Sequence, residues 1–145
     1  MKLGDYFTLR EMTRTHTGIR NNPNAKQIAR LTALVAHVLD PLRRDVCVPV
    51  HITSGYRSPA VNVAIGGSKS SQHTLGEAAD LRAAGYDARD LALRIVELSL
   101  PFDQLIWYAP ERGGHIHVSY TVRRDNRQQV LHAPAGGGYV KVGEQ

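Results

Sequence analysis

Cysteine is almost missing from this chain: Cys47 is the one thiol in 145 residues, which excludes an internal disulfide as a staple for the fold. Its neighbours Val46 and Val48 predict simple burial of that thiol. Aromatic residues are scarce at 6%. The arginines are scattered apart from one modest cluster at Arg123, Arg124 and Arg127, so no basic stripe with interleaved aromatics marks a nucleic-acid surface. That cluster reads as a solvated face, and nucleic acid is not an expected partner. No apolar run approaches the roughly 20 residues needed to span a membrane. The opening MKLGDYFTLREMTR places charges where the apolar stretch of a secretory leader would have to lie, so no signal peptide is expected. Internal repeats are also lacking.

What is present describes an ordinary globular chain. Its length suits one domain with one core, and 42% hydrophobic with 21% charged residues is a typical balance. A formal charge of +5 and a pI near 9.7 favour an anionic partner. They do not choose between nucleic acid, an anionic wall polymer and a membrane surface.

The order of elements predicts an α+β fold, with a small, mainly antiparallel sheet and helices packed around it. Thr8-Leu9-Arg10-Glu11 is a capping-box pattern that starts a short helix. From Ala25, apolar residues at Ile28, Leu31, Leu34, Val35, Val38, Leu39 and Leu42 recur at helical spacing, and Pro41 predicts a kink or restart near Asp40. Val48 to Thr53 reads as a strand. Ser58-Pro59 opens a short helix that ends at Gly66-Gly67, Glu77 to Leu81 is a soft strand, and Asp87 caps another helix. Gln104 to Tyr108 and Ile116 to Thr121 read as an antiparallel hairpin. Beyond Arg123 the pattern weakens at Pro134 and Gly136-Gly137-Gly138. Residues 1–122 are therefore expected to form the main domain, and 123–145 a mobile tail or a late edge element.

Chemistry concentrates in Ser54 to Asp80. Inside it, Ser71-x-His73-x-x-Gly76-x-Ala78-x-Asp80 separates an imidazole and a carboxylate by small residues, and His115-Ile116-His117 adds a second imidazole-rich element. Two histidines and one carboxylate can hold a catalytic zinc while leaving a fourth position open. His73, Asp80 and His117 are the expected ligands of one zinc ion per chain. Strand alternation puts His115 and His117 on one face, so that one can ligate while the other donates a hydrogen bond or moves a proton. Ser71 is placed to fix His73 or its loop. Arg57, at the end of a strand, can present its forked donors to a developing oxyanion or to a substrate carboxylate. Taken alone, Arg57 is as readily a structural ion-pair residue, and Trp107 and Tyr108 read as sheet core and cleft wall. His16, His37, His51 and His132 read as structural or solvated.

At these residues the chain resembles the zinc D-Ala-D-Ala carboxypeptidase and L-alanyl-D-glutamate endopeptidase family of cell-wall peptidases, which has a hedgehog-like fold, and in particular its short phage and prophage branch. The resemblance runs from Phe7-Thr8-Leu9-Arg10-Glu11 through Leu39 to Arg43, Thr53 to Ser58, the Ser71 to Asp80 motif and Phe102 to Ile106, ending at His117-Val118-Ser119. It implies zinc held by His73, Asp80 and His117, substrate orientation or oxyanion stabilisation by Arg57, a peptidoglycan peptide as substrate and hydrolysis without an acyl-enzyme. Several branches carry an acidic base three residues before the last zinc histidine, where this chain has Gly114. His115 is then the leading base, with Glu111 a second choice if its loop folds inward and Tyr108 a proton-donating or oxyanion-binding group. Arg57, Ser71 and Tyr108 are the expected substrate contacts. A monomer made in the cytoplasm and acting at the wall after release is expected.

Overall fold

The first helix is fixed by its cap. In the computed structural model, which describes residues 1–143, the Thr8 hydroxyl accepts the Glu11 N–H and the Glu11 carboxylate accepts the Thr8 N–H, closing the expected box at the head of α1 (Leu9–Thr13). Asn24 and Gln27 close a second box at the head of α2 (Ala25–Leu34). The predicted restart follows. Val35–Leu39 form a widened π-type turn in which the Asp40 N–H reaches back to Val35 O, and α3 (Asp40–Val46) resumes with Pro41 in its first turn. Proline has no N–H to leave unpaired there, so the widened turn absorbs the irregularity without breaking the apolar stripe. Leu31, Leu34, Val35, Val38, Leu39 and Leu42 are all fully buried, each contributing about 2 kcal/mol of hydrophobic stabilisation. The buried Asp40 carboxylate accepts the N–H groups of Asp5 and Tyr6, tying the amino terminus to this helix.

Cys47 departs from expectation. Val46 takes the buried position, and Cys47 ends α3 in the left-handed region at φ 56°, which swings its side chain outward, so the thiol is exposed rather than buried.

Among the described residues six strands form one sheet: β1 (Val50–Ser54), β2 (Ala78–Ala83), β3 (Gln104–Tyr108), β4 (Ile116–Ser119), β5 (Gln129–Ala133) and β6 (Val140–Lys141), in the order β1-β2-β4-β3-β5-β6. All pairings are antiparallel except β3 with β5. The expected α+β class and the β3–β4 hairpin are both found. Within residues 123–143, β5 joins the sheet along β3 and β6 pairs with β5 at the edge. Among the described residues there are two further α-helices, α4 (Pro59–Ala64), capped by Ser58, and α5 (Ala88–Glu97), capped by Asp87. No described helix is long and apolar enough to cross a membrane.

Alternation divides the two faces of the sheet. Leu81, Leu105, Ile116 and Val118 enter the same core as Leu91 and Ile95 of α5. Their neighbours Asp80, Ile106 and His117 therefore point to the opposite face. In β1, Ile52 pairs with Leu81 but Ser54 with Asp80, so Thr53 is an extra residue that bends the strand just before Arg57.

Candidate metal centre

The three expected ligands come from three pieces of local structure. His73 lies in a single 3₁₀ turn, Gln72–Leu75, whose head is capped by the Ser71 hydroxyl accepting the His73 N–H at 3.2 Å. Gly76 ends the turn at φ +80°, where an added Cβ would lie 2.6 Å from Gln27 O. Both the conformation and the close approach of α2 require glycine there. The chain then enters β2. Asp80 stands directly opposite His117 in the β2–β4 ladder, so their side chains share a face as cross-strand neighbours.

These placements bring the donors together. Asp80 Oδ1 is 3.2 Å from His73 Nε2 and 3.0 Å from His117 Nδ1, and the two imidazole nitrogens are 3.2 Å apart. One ligand atom from each residue lies within 4.8 Å of the others, and among the described residues this is the one cluster of its kind. His73 Nδ1 lies 2.7 Å from Gly55 O. A carbonyl only accepts, so Nδ1 carries the proton and Nε2 turns its lone pair to the cluster. Two imidazole nitrogens and one carboxylate oxygen facing a common point suit a zinc ion by donor chemistry, number and mixed charge.

Electrostatics sharpen the contrast between the partners. Burial is the largest effect on Asp80 and raises its pKa, but imidazoles of His73 and His117 that carry a proton toward it outweigh burial by charge and hydrogen bonding and hold the carboxyl well below the usual range, a part that a cation held by their lone pairs would take over. Burial lowers the pKa of His117 against the opposing pull of Asp80. The neutral, lone-pair-bearing form of that imidazole is thereby favoured.

The other expected site residues divide. Arg57 is fixed at all three nitrogens: Nη2 donates to Asp80 Oδ2 at 3.3 Å, Nε to Ser54 Oγ and Nη1 to Asn62 Oδ1. Arg57, Ser71 and Tyr108 line one cleft of about 610 Å³ with His73, Asp80 and His117. His115 is not part of that lining. It reaches the cluster from the side, with Nε2 3.9 Å from Asp80 Oδ2 and its ring stacked on Tyr108 at 4.5 Å. Burial, the largest cause, lowers the His115 pKa, opposed by Asp80 and assisted by Arg82. The Glu111 loop does not fold inward. Glu111 sits exposed in the 3₁₀ turn Pro110–Arg112 and does not line the cleft.

The arginine cluster overturns the reading of a solvated face. Arg123 makes a two-pronged pair with fully buried Glu77, while Arg124 and Arg127 both grip fully buried Asp103. Gln72, beside His73, donates to both carboxylates and joins the network to the ligand turn. A buried carboxylate demands charged donors, and no local pattern indicates which distant arginine supplies them. Sequence reasoning also missed Asn62, which holds Arg57 and the Ser68 carbonyl, and buried Asn21, which binds Thr13 O, Tyr56 O and the Ser58 N–H. Their one sequence signal is position, since each lies near a cap or a turn.

A His-His-Asp donor set lining a cleft, on this α+β scaffold, defines a candidate metal centre of the two-histidine, one-carboxylate class. More particularly, the family model described as Peptidase M15 matches residues 5–119, and the chain belongs to that family. Peptidase M15 is a family of zinc-dependent metallopeptidases. No curated protein matches the chain.

Proposed function

We propose that this chain is a zinc peptidase that hydrolyses a peptide bond in the stem peptide or cross-bridge of bacterial peptidoglycan, as a phage-type lysin or a wall remodeller acting at the cell wall. The observation that carries this reading is the convergence of His73, Asp80 and His117 within 4.8 Å in a Peptidase M15 chain. These three side chains are the proposed zinc ligands. A zinc ion bound there supplies Lewis acidity that polarises a carbonyl and lowers the pKa of water toward about 7.

The protein's own groups do the rest. The cleft has room for several residues of an extended peptide, and Ser71 and Tyr108 form part of its wall. Arg57, fixed by Ser54 and Asn62, presents a cation beside Asp80 for a developing oxyanion or a substrate carboxylate. His115 is the proposed base, because its lowered pKa keeps Nε2 able to accept a proton near neutral pH and Tyr108 holds its ring in place. The Tyr108 hydroxyl has its pKa raised, chiefly by burial, so it stays protonated and can donate.

One observation favours a second reading, a zinc-stabilised wall-binding or assembly module without turnover: the position three residues before His117 is Gly114, which has no acid to offer. Incubating purified peptidoglycan with the zinc-loaded protein and with a chelated control, followed by mass spectrometry, separates the two. Zinc-dependent new termini are expected, with loss of one terminal alanine marking a carboxypeptidase and internal termini an endopeptidase. Binding to several wall types without any product would reject the peptidase.

A further inference from the structure

The family match ends at Ser119, yet the cleft does not. Arg123, Arg124, Arg127 and Tyr139 also line it, so part of the substrate wall belongs to this chain's own carboxy-terminal segment. Asp103 holds one negative charge, but it accepts from two guanidinium groups, the Gln72 amide and the Arg127 backbone N–H. Satisfying the carboxylate does not require both arginines. With Arg123 on Glu77, three guanidinium groups face two carboxylates, leaving one positive charge in excess. The Arg124 and Arg127 side chains are 42% and 46% exposed while Asp103 is 0% exposed. Arg124 Nε and Arg127 Nη1 have no partner among the described residues.

Strand register places this cationic wall along the cleft. Gln104, Ile106 and Tyr108 alternate along β3 and all line the cleft. Ile106 pairs with His117, and Gln104 pairs with Gln129, two residues after Arg127. Gln104 therefore lies about 7 Å along the strand from Ile106, the span of two residues of an extended peptide.

We propose that Arg124 and Arg127 form an anion-recognition wall that selects peptides carrying a carboxylate about two to four residues from the bond placed at His73, Asp80 and His117. Asp103 holds the two guanidinium groups in a fixed orientation, and their outward N–H groups bind the ligand carboxylate. This deepens the peptidase reading and rests on it for the direction in which the peptide lies.

The test uses a pair of stem pentapeptides that differ only in whether the D-glutamate α-group is a carboxylate or a carboxamide. Affinities are read from amide chemical-shift titrations of the zinc-loaded full chain, and cleavage is followed in parallel by mass spectrometry. The carboxylate form is expected to bind about tenfold more tightly at low salt, a charge-assisted hydrogen-bond effect, and added salt should shrink that preference. Arg124→Gln and Arg127→Gln should each move the ratio toward one. Equal affinities for the wild-type chain, no binding of either peptide at millimolar concentration, or an undiminished ratio in both variants would overturn the proposal. The wild-type comparison needs no variant to fold. A carboxylate preference without cleavage would sink the peptidase reading and leave the wall standing, whereas cleavage of both peptides with equal affinity would do the reverse.

Discussion

Asp80 on β2 and Asp103 just ahead of β3 are both carboxylates largely removed from solvent, joined through the short turn that carries Gln72 and His73, yet their surroundings equip them for opposite work. Asp103 is met by two guanidinium groups, an amide and a backbone N–H, so each oxygen is occupied by donors that are always present. Asp80 is met on one oxygen by two imidazole nitrogens, which are themselves lone-pair donors, and on the other by Arg57. The first arrangement is complete as it stands. The second becomes complete with a cation, which is why the donors around a buried carboxylate say more about its role than burial does.

Removing each carboxylate is the strongest way to break this comparison. Asp80→Ala should lower zinc-dependent hydrolysis by at least about 100-fold, the upper end of what is lost when only a supporting partner of a metal ligand is removed. In chelator it should still unfold cooperatively, at a Tm lowered by the loss of the partner of Arg57; a fully active Asp80→Ala protein would remove Asp80 from the ligand set. Asp103→Asn should fall mainly on stability, costing about 3 kcal/mol as a broken buried ion pair, and should also loosen the Arg124–Arg127 wall. In calorimetry that is a fall in Tm of about 10 °C, with zinc affinity little changed.

Acid should separate the regions less sharply. Burial is the largest influence on both Glu77 and Asp103 and raises their pKa values, but Arg123 on the one and Arg124 with Arg127 on the other outweigh it and hold both carboxyls below the ordinary range. A folded-state pKa below the unfolded value contributes stability that is present above about pH 4 and is lost as pH falls through the folded value. Denaturation midpoints should therefore fall gently below about pH 6.5, where His115 and His117, whose pKa values burial lowers, are forced to charge, and drop more steeply below about 4. In Asp103→Asn that drop should be visibly smaller, and an unchanged acid profile would count against the pairing.

The smallest effect belongs to the link between the regions. Ser71→Ala removes the hydroxyl that accepts the His73 N–H and should cost about 1 kcal/mol of stability, as other lost caps do. It should weaken zinc by no more than about tenfold. A larger metal effect without a stability effect would make Ser71 part of the centre itself.

Much of this arrangement was legible because its signals are local. The capping box at Thr8, the Ser58-Pro59 and Asp87 helix starts, the seven-position apolar stripe from Ile28 to Leu42 and the β3–β4 hairpin each depend on residues a few places apart. His73 and Asp80 share one motif, and His117 follows from alternation beside His115. What was hidden depends on distance. The parallel pairing of β5 with β3 joins residues 104–108 to 129–133, and the burial of Glu77 and Asp103 by Arg123, Arg124 and Arg127 cannot be read from a cluster that resembles any exposed basic run. Cys47 escaped because two flanking valines do not reveal a left-handed helix end.

The central claim is that His73, Asp80 and His117 hold one zinc ion, and X-ray absorption at the zinc edge on the protein loaded with one equivalent tests it most directly. The account predicts a shell of nitrogen and oxygen alone at about 2.0–2.1 Å with imidazole scattering beyond it, losing an oxygen or losing the metal in Asp80→Ala. A sulfur shell at about 2.3 Å, which would place the metal on Cys47, or a spectrum and stoichiometry unchanged in Asp80→Ala, would contradict it.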